Sequence, residues 1–365
     1  MKGKMHCFLL GLLLLPSIRV AIFKNLPQVT LQGQNLWART PEERPNSVQV
    51  ENPVTVFPSD EGLQIGNETF ASPRMKMGSE YGPVTVEGKD FMGEIEIRKN
   101  SENTLLILNE LPLEEYLVGL VHGEIYASWP VEAIKAQVVA ARTYALLHQA
   151  KRKKSEAGYD LEADIADQVY AGSMGKTEDD KVKEAVSATE GEVLWFLGYY
   201  PVYFHSTCGG QTEISERVWG KKDISVSVND PFCKDAPQFH WELNLSQKQF
   251  LNALKGHGLT GTKIKSVSLQ RHENDPRNAL VVIETNDTTL FVSANELRKI
   301  LGYKELKSSW FDVEWNSKEV TFIGTGYGHG VGLCQWGAKT MADNGTSYKD
   351  ILKFYYPKAV LRKMY

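Results

Sequence analysis

The chain has 365 residues, which is enough for one large domain or two ordinary domains with an ample hydrophobic core. Hydrophobic residues make up 42% and charged residues 24% of the sequence, the composition of a soluble globular protein. The formal net charge of −4 gives no support for nucleic acid or an acidic membrane surface as the main partner.

The first residues have the pattern of a secretory signal. A pair of lysines precedes an apolar run from Cys7 to Leu15, which is too short to span a bilayer comfortably. Ser17 and Ala21 offer cleavage points, but Arg19 disturbs a small-x-small site, so a cleaved signal and an uncleaved anchor both remain open. We assign residues 1–22 to a signal peptide or N-terminal anchor. We expect an exported protein, periplasmic or associated with the cell envelope, without a further membrane-spanning segment.

The chain after this segment divides into a small region and a large one. Residues 23–93 contain short alternating or β-branched runs, such as Val54–Phe57 and Thr85–Glu87, separated by proline and glycine. From residue 94 to residue 365, helical and extended patterns alternate irregularly and show no parallel βαβ series. The sequence therefore predicts an α+β fold with a mixed sheet and packed helices, in which a small β-rich region precedes a single main domain.

A predicted pair of helices between Leu113 and His148 carries the first candidate site. Pro112 suits the first turn of a helix, and the apolar positions that follow it recur with helical spacing. Glu124 continues this apolar face. Burial disfavours the charged form of a carboxyl group, and a carboxyl group that keeps its proton near neutral pH can act as a general acid. The spacing alone also allows a glutamate that turns outward where the apolar face ends.

A glycine-rich segment near the C-terminus is the second feature. The strand Val320–Ile323 leads into Gly324–Gly332, and a helix follows. The Rossmann pattern fails because its third glycine is missing in every register of this segment. The P-loop fails because the segment continues as Gly337-Ala338-Lys339-Thr340, where the motif requires Gly-Lys-Thr. Two interpretations remain open: a loop that brings backbone amides and His329 close to a ligand, or a tight structural crossing.

The cysteines give a third candidate site. Beyond Cys7, the sequence contains Cys208, Cys233 and Cys334, an odd number for an exported protein. His205 and Cys208 have ligand-like spacing, and with Cys233 they form a candidate zinc site. A Cys208–Cys233 disulfide is the alternative in an oxidising compartment. Cys334 would become a ligand only if the fold brings the C-terminal loop alongside.

Several strings of the sequence resemble one known family. They are LPLEEYLVGLVHGEIYASWPVEAIKAQVVAARTYAL, DQVYAG, FHSTCGGQT and GYGHGVGLCQWGAKTMADNGTSYKDILKFYYP. In content and order they strongly resemble the SpoIID/LytB family, from about Glu94 to Pro357. This resemblance implies an exported cell-wall protein. Cys334 departs from the pattern, since many members carry serine there.

The SpoIID branch of the family implies an enzyme. Its members are lytic transglycosylases that cleave peptidoglycan glycan strands stripped of stem peptides, and their catalytic glutamate matches Glu124. The resemblance implies no required cofactor; some members bind zinc, so we expect at most a structural zinc, with His205, Cys208 and Cys233 as ligands. For Tyr144, core packing is an equal alternative to substrate binding. The predicted substrate-binding residues are Arg142, Tyr144, Gln168, Tyr170, His205, His329 and Gln335.

The LytB branch implies a different function. Its members are described as enhancers of a separate amidase, so the chain would bind wall glycan or a partner enzyme without cutting. The expected partners are therefore peptidoglycan glycan strands and an amidase that removes stem peptides.

Overall fold

The computed structural model describes residues 16–41, 47–152, 157–163, 168–170, 172, 179–271, 276–277 and 279–365. The apolar run Cys7–Leu15 lies outside these residues. The described chain forms two compact units: unit 1 within Met1–Ala127, Ala145–Val193 and Arg362–Tyr365, and unit 2 within Ser128–Tyr144 and Leu194–Leu361. In the described part of the chain, no helix is long and apolar enough to cross a membrane.

Unit 1 is built on a mixed sheet of 11 strands, counted over the described residues. The strand order is β11-β1-β10-β9-β7-β2-β4-β5-β6, with β3 pairing to β2 and β8 pairing to β7. The β1–β11 pair is parallel, whereas β1 and β10 are antiparallel. The strands are β1 (Ser17–Leu26), β2 (Val29–Arg39), β3 (Val48–Gln49), β4 (Val54–Ser59), β5 (Gly62–Ile65), β6 (Glu68–Phe70), β7 (Arg74–Val86), β8 (Lys89–Phe91), β9 (Glu94–Lys99), β10 (Leu105–Pro112) and β11 (Leu161–Glu162).

The first three helices in the chain are α1 (Leu113–Glu124), α2 (Val131–Arg152) and α3 (Asp179–Ala188). α1 follows β10 directly, and its buried face includes Leu113, Tyr116, Leu117, Leu120 and Val121, the spacing of an amphipathic helix. α2 is buried nearly all round between residues 133 and 146, which is typical of a helix that runs through a core. α2 passes from unit 2 into unit 1 near residue 144.

Unit 2 contains two hydrophobic cores. The first surrounds the cysteines and includes α7 and α8, and the second surrounds two three-stranded sheets, ordered β14-β19-β18 and β15-β16-β17. The remaining strands are β12 (Glu192–Trp195), β13 (Phe204–His205), β14 (His240–Ser246), β15 (Ile264–Gln270), β16 (Leu280–Thr285), β17 (Thr289–Ser293), β18 (Phe311–Trp315), β19 (Glu319–Thr325), β20 (Leu333–Cys334) and β21 (Val360–Lys363). The remaining helices are α4 (Ser215–Trp219), α5 (Gln247–Leu254), α6 (Ala294–Leu301), α7 (Gln335–Asp343) and α8 (Tyr348–Tyr355).

The structure confirms the predicted α+β class with a mixed sheet and corrects the predicted boundaries. The boundary between residues 93 and 94 falls inside unit 1, because β9 pairs with β7 and extends the same sheet. The predicted single main domain, 94–365, is divided between two units. The boundary after residue 22 falls inside β1, whose Ile18 and Val20 are fully buried.

Candidate functional site

Glu124 is the last residue of α1 and is half-buried. Its Oε1 atom accepts a hydrogen bond of 2.8 Å from the backbone N–H of Val169. Ile125, directly after it, is extended and ends the helix. The carboxyl group thus continues the apolar face of α1, as predicted, and a bond from a distant segment fixes one of its oxygens. A fixed orientation is what a general acid requires.

The segment that holds Glu124 packs against α1 through two glycines. A Cβ on Gly119 would lie 2.5 Å from the carbonyl oxygen of Gly172, and a Cβ on Gly123 would lie 2.1 Å from that of Val169. Neither distance is compatible with a larger residue unless the backbone shifts. The glycines therefore allow this segment to approach the helix closely enough for the Val169 N–H to reach Glu124.

Gln168 and Tyr170 flank Val169, and their side chains point into the core of unit 1. The hydroxyl of Tyr116 donates a hydrogen bond of 2.8 Å to Oε1 of Gln168. The hydroxyl of Tyr170 donates one of 2.8 Å to Oδ1 of Asn109 on β10. Gln168 is 1% exposed and Tyr170 is 6% exposed. We predicted both as substrate-binding residues; the structure shows them supporting the backbone that orients Glu124.

Tyr126 is a candidate that the sequence reasoning missed. It lies two residues after Glu124, and 65% of it is exposed. An aromatic ring with a polar tip offers both stacking area and a hydrogen-bonding group. Its position inside the GEIYASWP string was the available signal.

Arg142 and Tyr144 belong to unit 2 and are both buried. Arg142 is fully buried in the middle of α2. The ring of Tyr144 packs edge-on against Phe204, with 6.4 Å between centroids. This contact is the core packing that the sequence left open for Tyr144.

His205 and His329 meet where β13 and β20 pair in parallel, with ring centroids 5.4 Å apart. Nδ1 of His205 lies 3.1 Å from the carbonyl oxygen of Val331. Nδ1 of His329 accepts a bond of 3.0 Å from the N–H of Val331, so its Nε2 carries the proton and donates to the carbonyl oxygen of Phe204 at 2.9 Å. Burial lowers the pKa of His329 to about 3. Its ring is therefore neutral and its hydrogen bonds hold the loop itself together.

Gln335, the first residue of α7, is also buried.

Four buried side chains converge in the first core of unit 2. The candidate ligand atoms of Cys208, Asp230, Cys233 and Cys334 all lie within 4.8 Å of one another. All three cysteines are free, and the 3.4 Å between Sγ of Cys208 and Sγ of Cys233 is well beyond the ~2.05 Å of a disulfide. We call these four residues the cysteine cluster.

The cysteine cluster differs from the predicted ligand set. Cys208 and Cys233 belong to it, as predicted, and β20 brings Cys334 alongside. His205 does not belong to it, because neither of its ring nitrogens is among the ligand atoms that lie within 4.8 Å of one another; its Nδ1 lies 3.1 Å from the Val331 carbonyl oxygen. Asp230 takes its place and was missed, since a carboxylate three residues before a cysteine is a weak signal. The hydrogen bond between Cys208 and Cys233 lowers the pKa of Cys233.

Comparison with known proteins identifies the family. A family model described as Stage II sporulation protein matches residues 101–196, and a second, described as a domain of unknown function (DUF8618), matches residues 222–332. The chain is 31% identical over 262 residues to Stage II sporulation protein D of Bacillus subtilis, a match that covers 68% of this chain and 74% of that protein. The chain belongs to the SpoIID/LytB family.

Two further relatives extend this family assignment. An uncharacterized protein of Brachyspira hyodysenteriae is 32% identical over 273 residues, covering 74% of this chain and 72% of that protein. A Bacillus subtilis protein named Amidase enhancer is 30% identical over 294 residues, covering 67% of this chain but only 40% of its own length. The SpoIID match includes Glu124, Gln168 and Tyr170, whereas Cys208 and Cys334 lie outside both matched segments.

Proposed function

We propose that this SpoIID-family chain is a peptidoglycan lytic transglycosylase that acts on glycan strands free of stem peptides. The observation that supports this function is the carboxyl group of Glu124, which the Val169 N–H orients at the end of α1. Two buried side chains, Gln168 and Tyr170, support that contact from both sides. The family match covers this whole arrangement.

One carboxyl group is sufficient for this reaction. Glu124 protonates the glycosidic oxygen between N-acetylmuramic acid and N-acetylglucosamine, and the bond from that oxygen to C1 of the muramic residue breaks. The resulting carboxylate takes the proton of the C6 hydroxyl, and O6 bonds to C1, which closes a 1,6-anhydro ring. A glycoside hydrolase would instead need a second carboxyl group as nucleophile or to activate water.

The substrate places the protein in the cell envelope, where peptidoglycan lies. An amidase that removes stem peptides would supply the bare strands and is the expected functional partner. The similarity to a protein named Amidase enhancer supports a link to such an enzyme.

Replacement of one residue tests the catalytic proposal. We expect the wild-type protein to release anhydro-terminated fragments from stripped glycan strands and Glu124→Gln to lose this activity by about 10²-fold or more, because the amide cannot transfer the proton. Product masses measured by liquid chromatography and mass spectrometry check the result.

Glu115→Gln is the matched control, since it removes an exposed carboxylate from the first turn of the same helix. The two residues are separated by nine positions, about 14 Å along the helix axis. Fragment release should be unchanged in this variant. Equal release by wild type and Glu124→Gln would contradict catalysis by Glu124.

The alternative function is a glycan-binding enhancer of a partner amidase, favoured by the relative named Amidase enhancer. In that case wild type and Glu124→Gln both release no anhydro product and both accelerate stem-peptide removal when an amidase is added. Activity of the chain on stripped strands without an amidase decides between the two functions.

A further inference from the structure

We propose that Cys208, Asp230, Cys233 and Cys334 bind one structural zinc ion in unit 2. The four residues come from three separate segments of the chain, since only Asp230 and Cys233 are close in sequence, and all four side chains are at most 1% exposed. This ligand set differs from the one expected from spacing, because His205 is excluded and Asp230 and Cys334 are included. The proposal does not depend on the reaction assigned to Glu124.

The distances suit tetrahedral zinc. Sγ of Cys208 lies 3.4 Å from Sγ of Cys233 and 3.1 Å from Oδ2 of Asp230, and all candidate ligand atoms fall within 4.8 Å of one another. Zinc–sulfur bonds of ~2.3 Å in a tetrahedron place neighbouring sulfurs about 3.8 Å apart. Small side-chain rotations are enough to convert the observed cluster into that geometry.

A metal uses all four side chains, which a disulfide does not. A Cys208–Cys233 disulfide would leave Cys334 and the carboxylate of Asp230 buried beside an apolar sulfur pair. The carboxyl group of Asp230 would then keep its hydrogen bonds from the Tyr355 hydroxyl and the Phe232 N–H, but Cys208 and Cys334 would no longer share a partner with it. A zinc ion would bind the carboxylate and the three sulfurs together, and thiolate ligands favour zinc over magnesium or calcium.

The surroundings of the cluster provide the outer hydrogen bonds that zinc ligands usually have. Sγ of Cys334 accepts N–H bonds from Cys208 at 3.2 Å and from Gly337 at 3.4 Å. Oδ2 of Asp230 accepts a bond of 2.8 Å from the hydroxyl of Tyr355. Each of these ligands is therefore oriented by a second residue.

Gly337 explains how α7 comes so close to the site. A Cβ there would lie 2.1 Å from the Tyr355 hydroxyl and 2.5 Å from Oδ2 of Asp230. Only glycine leaves room for the carboxylate, the phenol and the first turn of the helix. The crowding fits a closed site in which protein side chains fill all four positions, as in structural zinc sites.

Arg277 lies beside the cysteine cluster. Its buried guanidinium donates hydrogen bonds to the carbonyl oxygens of Cys208 and Gln211. These bonds hold the backbone of one candidate ligand, Cys208, in place.

Metal analysis of the full-length protein, purified without added metal, tests the proposal. We expect about one zinc per chain by inductively coupled plasma mass spectrometry. Alkylation after denaturation, without reductant, should modify Cys208, Cys233 and Cys334. A protein without zinc, or a Cys208–Cys233 disulfide in the peptide map, would overturn it.

Two variants test the ligand set. Asp230→Ala should lower zinc occupancy or its resistance to a chelator, whereas His205→Asn should keep one zinc per chain. The reverse pattern would overturn the assignment of Asp230. Where a variant fails to fold, the wild-type protein loaded with cobalt(II) decides: thiolate-to-cobalt charge-transfer absorption supports the site, and its absence contradicts it.

Discussion

Gly123 connects the backbone of α1 to the orientation of Glu124. The residue has no side chain because the carbonyl oxygen of Val169 occupies the space that a Cβ would fill. The N–H of the same Val169 holds the glutamate. Val169 thus contacts both Gly123 and Glu124, so a displacement of the Val169 backbone changes the orientation of the Glu124 carboxyl group.

Substitution Gly123→Ala tests this coupling. Alanine favours a helix by about 1 kcal/mol over glycine, but overpacking against backbone typically costs about 1–3 kcal/mol. The two effects sum to a stability loss of about 0–2 kcal/mol, and we expect a fall of about tenfold or more in release of anhydro fragments. Urea unfolding and the stripped-strand assay measure the two effects.

Gly119→Ala is the comparison variant for this experiment. Its Cβ would meet the Gly172 carbonyl oxygen at 2.5 Å, so it should destabilise the protein by a similar amount. Val169 is not its contact, so activity at a temperature where both variants are folded should fall less. Equal loss of activity in the two variants would contradict a specific role for the direct contact between Gly123 and Val169 in orienting Glu124.

The contrast between Glu124 and Asp230 shows which site residues the sequence can predict. Glu124 lies on a helix whose apolar spacing is local, so its place at the end of that face could be predicted. Asp230 acts only because residues 22 positions before it and about 100 positions after it converge on it. No local period encodes such a contact, and the role of the carboxylate became visible only in the structure.

At the scale of elements, β1 is the strand that the predicted N-terminal boundary divides. Its residues pair with β10 over the register Ser17↔Pro112 to Leu26↔Leu105 and with β11 on the other side. β1 is therefore an internal strand of the sheet. The prediction placed the boundary at residue 22 because an apolar run of the signal-peptide type precedes Pro16. The alternating apolar residues Ile18 and Val20 that follow are, however, typical of a strand.

Truncation from the N-terminus tests the position of this boundary. A chain that begins at Pro16 keeps every described contact of β1, and we expect it to unfold at the same urea concentration as the full chain. A chain that begins at Phe23 loses the buried side chains of Ile18 and Val20, worth about 3–6 kcal/mol together. That loss is comparable to the whole stability of many domains.

We therefore expect the shorter chain to be largely unfolded by circular dichroism. If the protein is exported with cleavage, N-terminal sequencing of the mature form should place the cut at or before residue 16. A stable, cooperatively folding chain from Phe23 would contradict the role of β1.

At the scale of the whole molecule, the α+β class could be predicted because strand and helix patterns are local. The division into units could not, because unit 1 takes residues from three separate parts of the chain. Position along the chain therefore gave a false boundary at residue 93, where the sheet continues from β7 into β9. The division into units depends on long-range strand pairing, which composition does not reveal.

The neutral ring of His329 makes the stability of the protein depend on pH. Its folded pKa of about 3 lies below the ~6.5 of an unfolded histidine. Its contribution to the free energy of unfolding is therefore fully present above about pH 6.5. This contribution is lost as the pH falls toward 3, by up to about 1.4 kcal/mol per pH unit. We expect His329→Gln to reduce this slope between pH 6 and pH 4, as measured by urea unfolding at several pH values.

His257→Gln is the control for the pH experiment, because His257 is exposed and belongs to no described hydrogen bond of the loop. The free energy of unfolding of this variant should change with pH as steeply as that of the wild type. If His329→Gln also keeps the wild-type slope, the neutral His329 ring is not the source of the acid sensitivity.

The internal position of β1 has a consequence for synthesis of the protein. β1 leaves the ribosome early, but its partner β10 ends at Pro112 and its other partner, β11, ends at Glu162. At about 5–20 residues per second, roughly 7–28 seconds pass before both edges of β1 can be paired. During that interval an apolar strand with open edges remains exposed, and a chaperone that shields the nascent chain would protect it from aggregation.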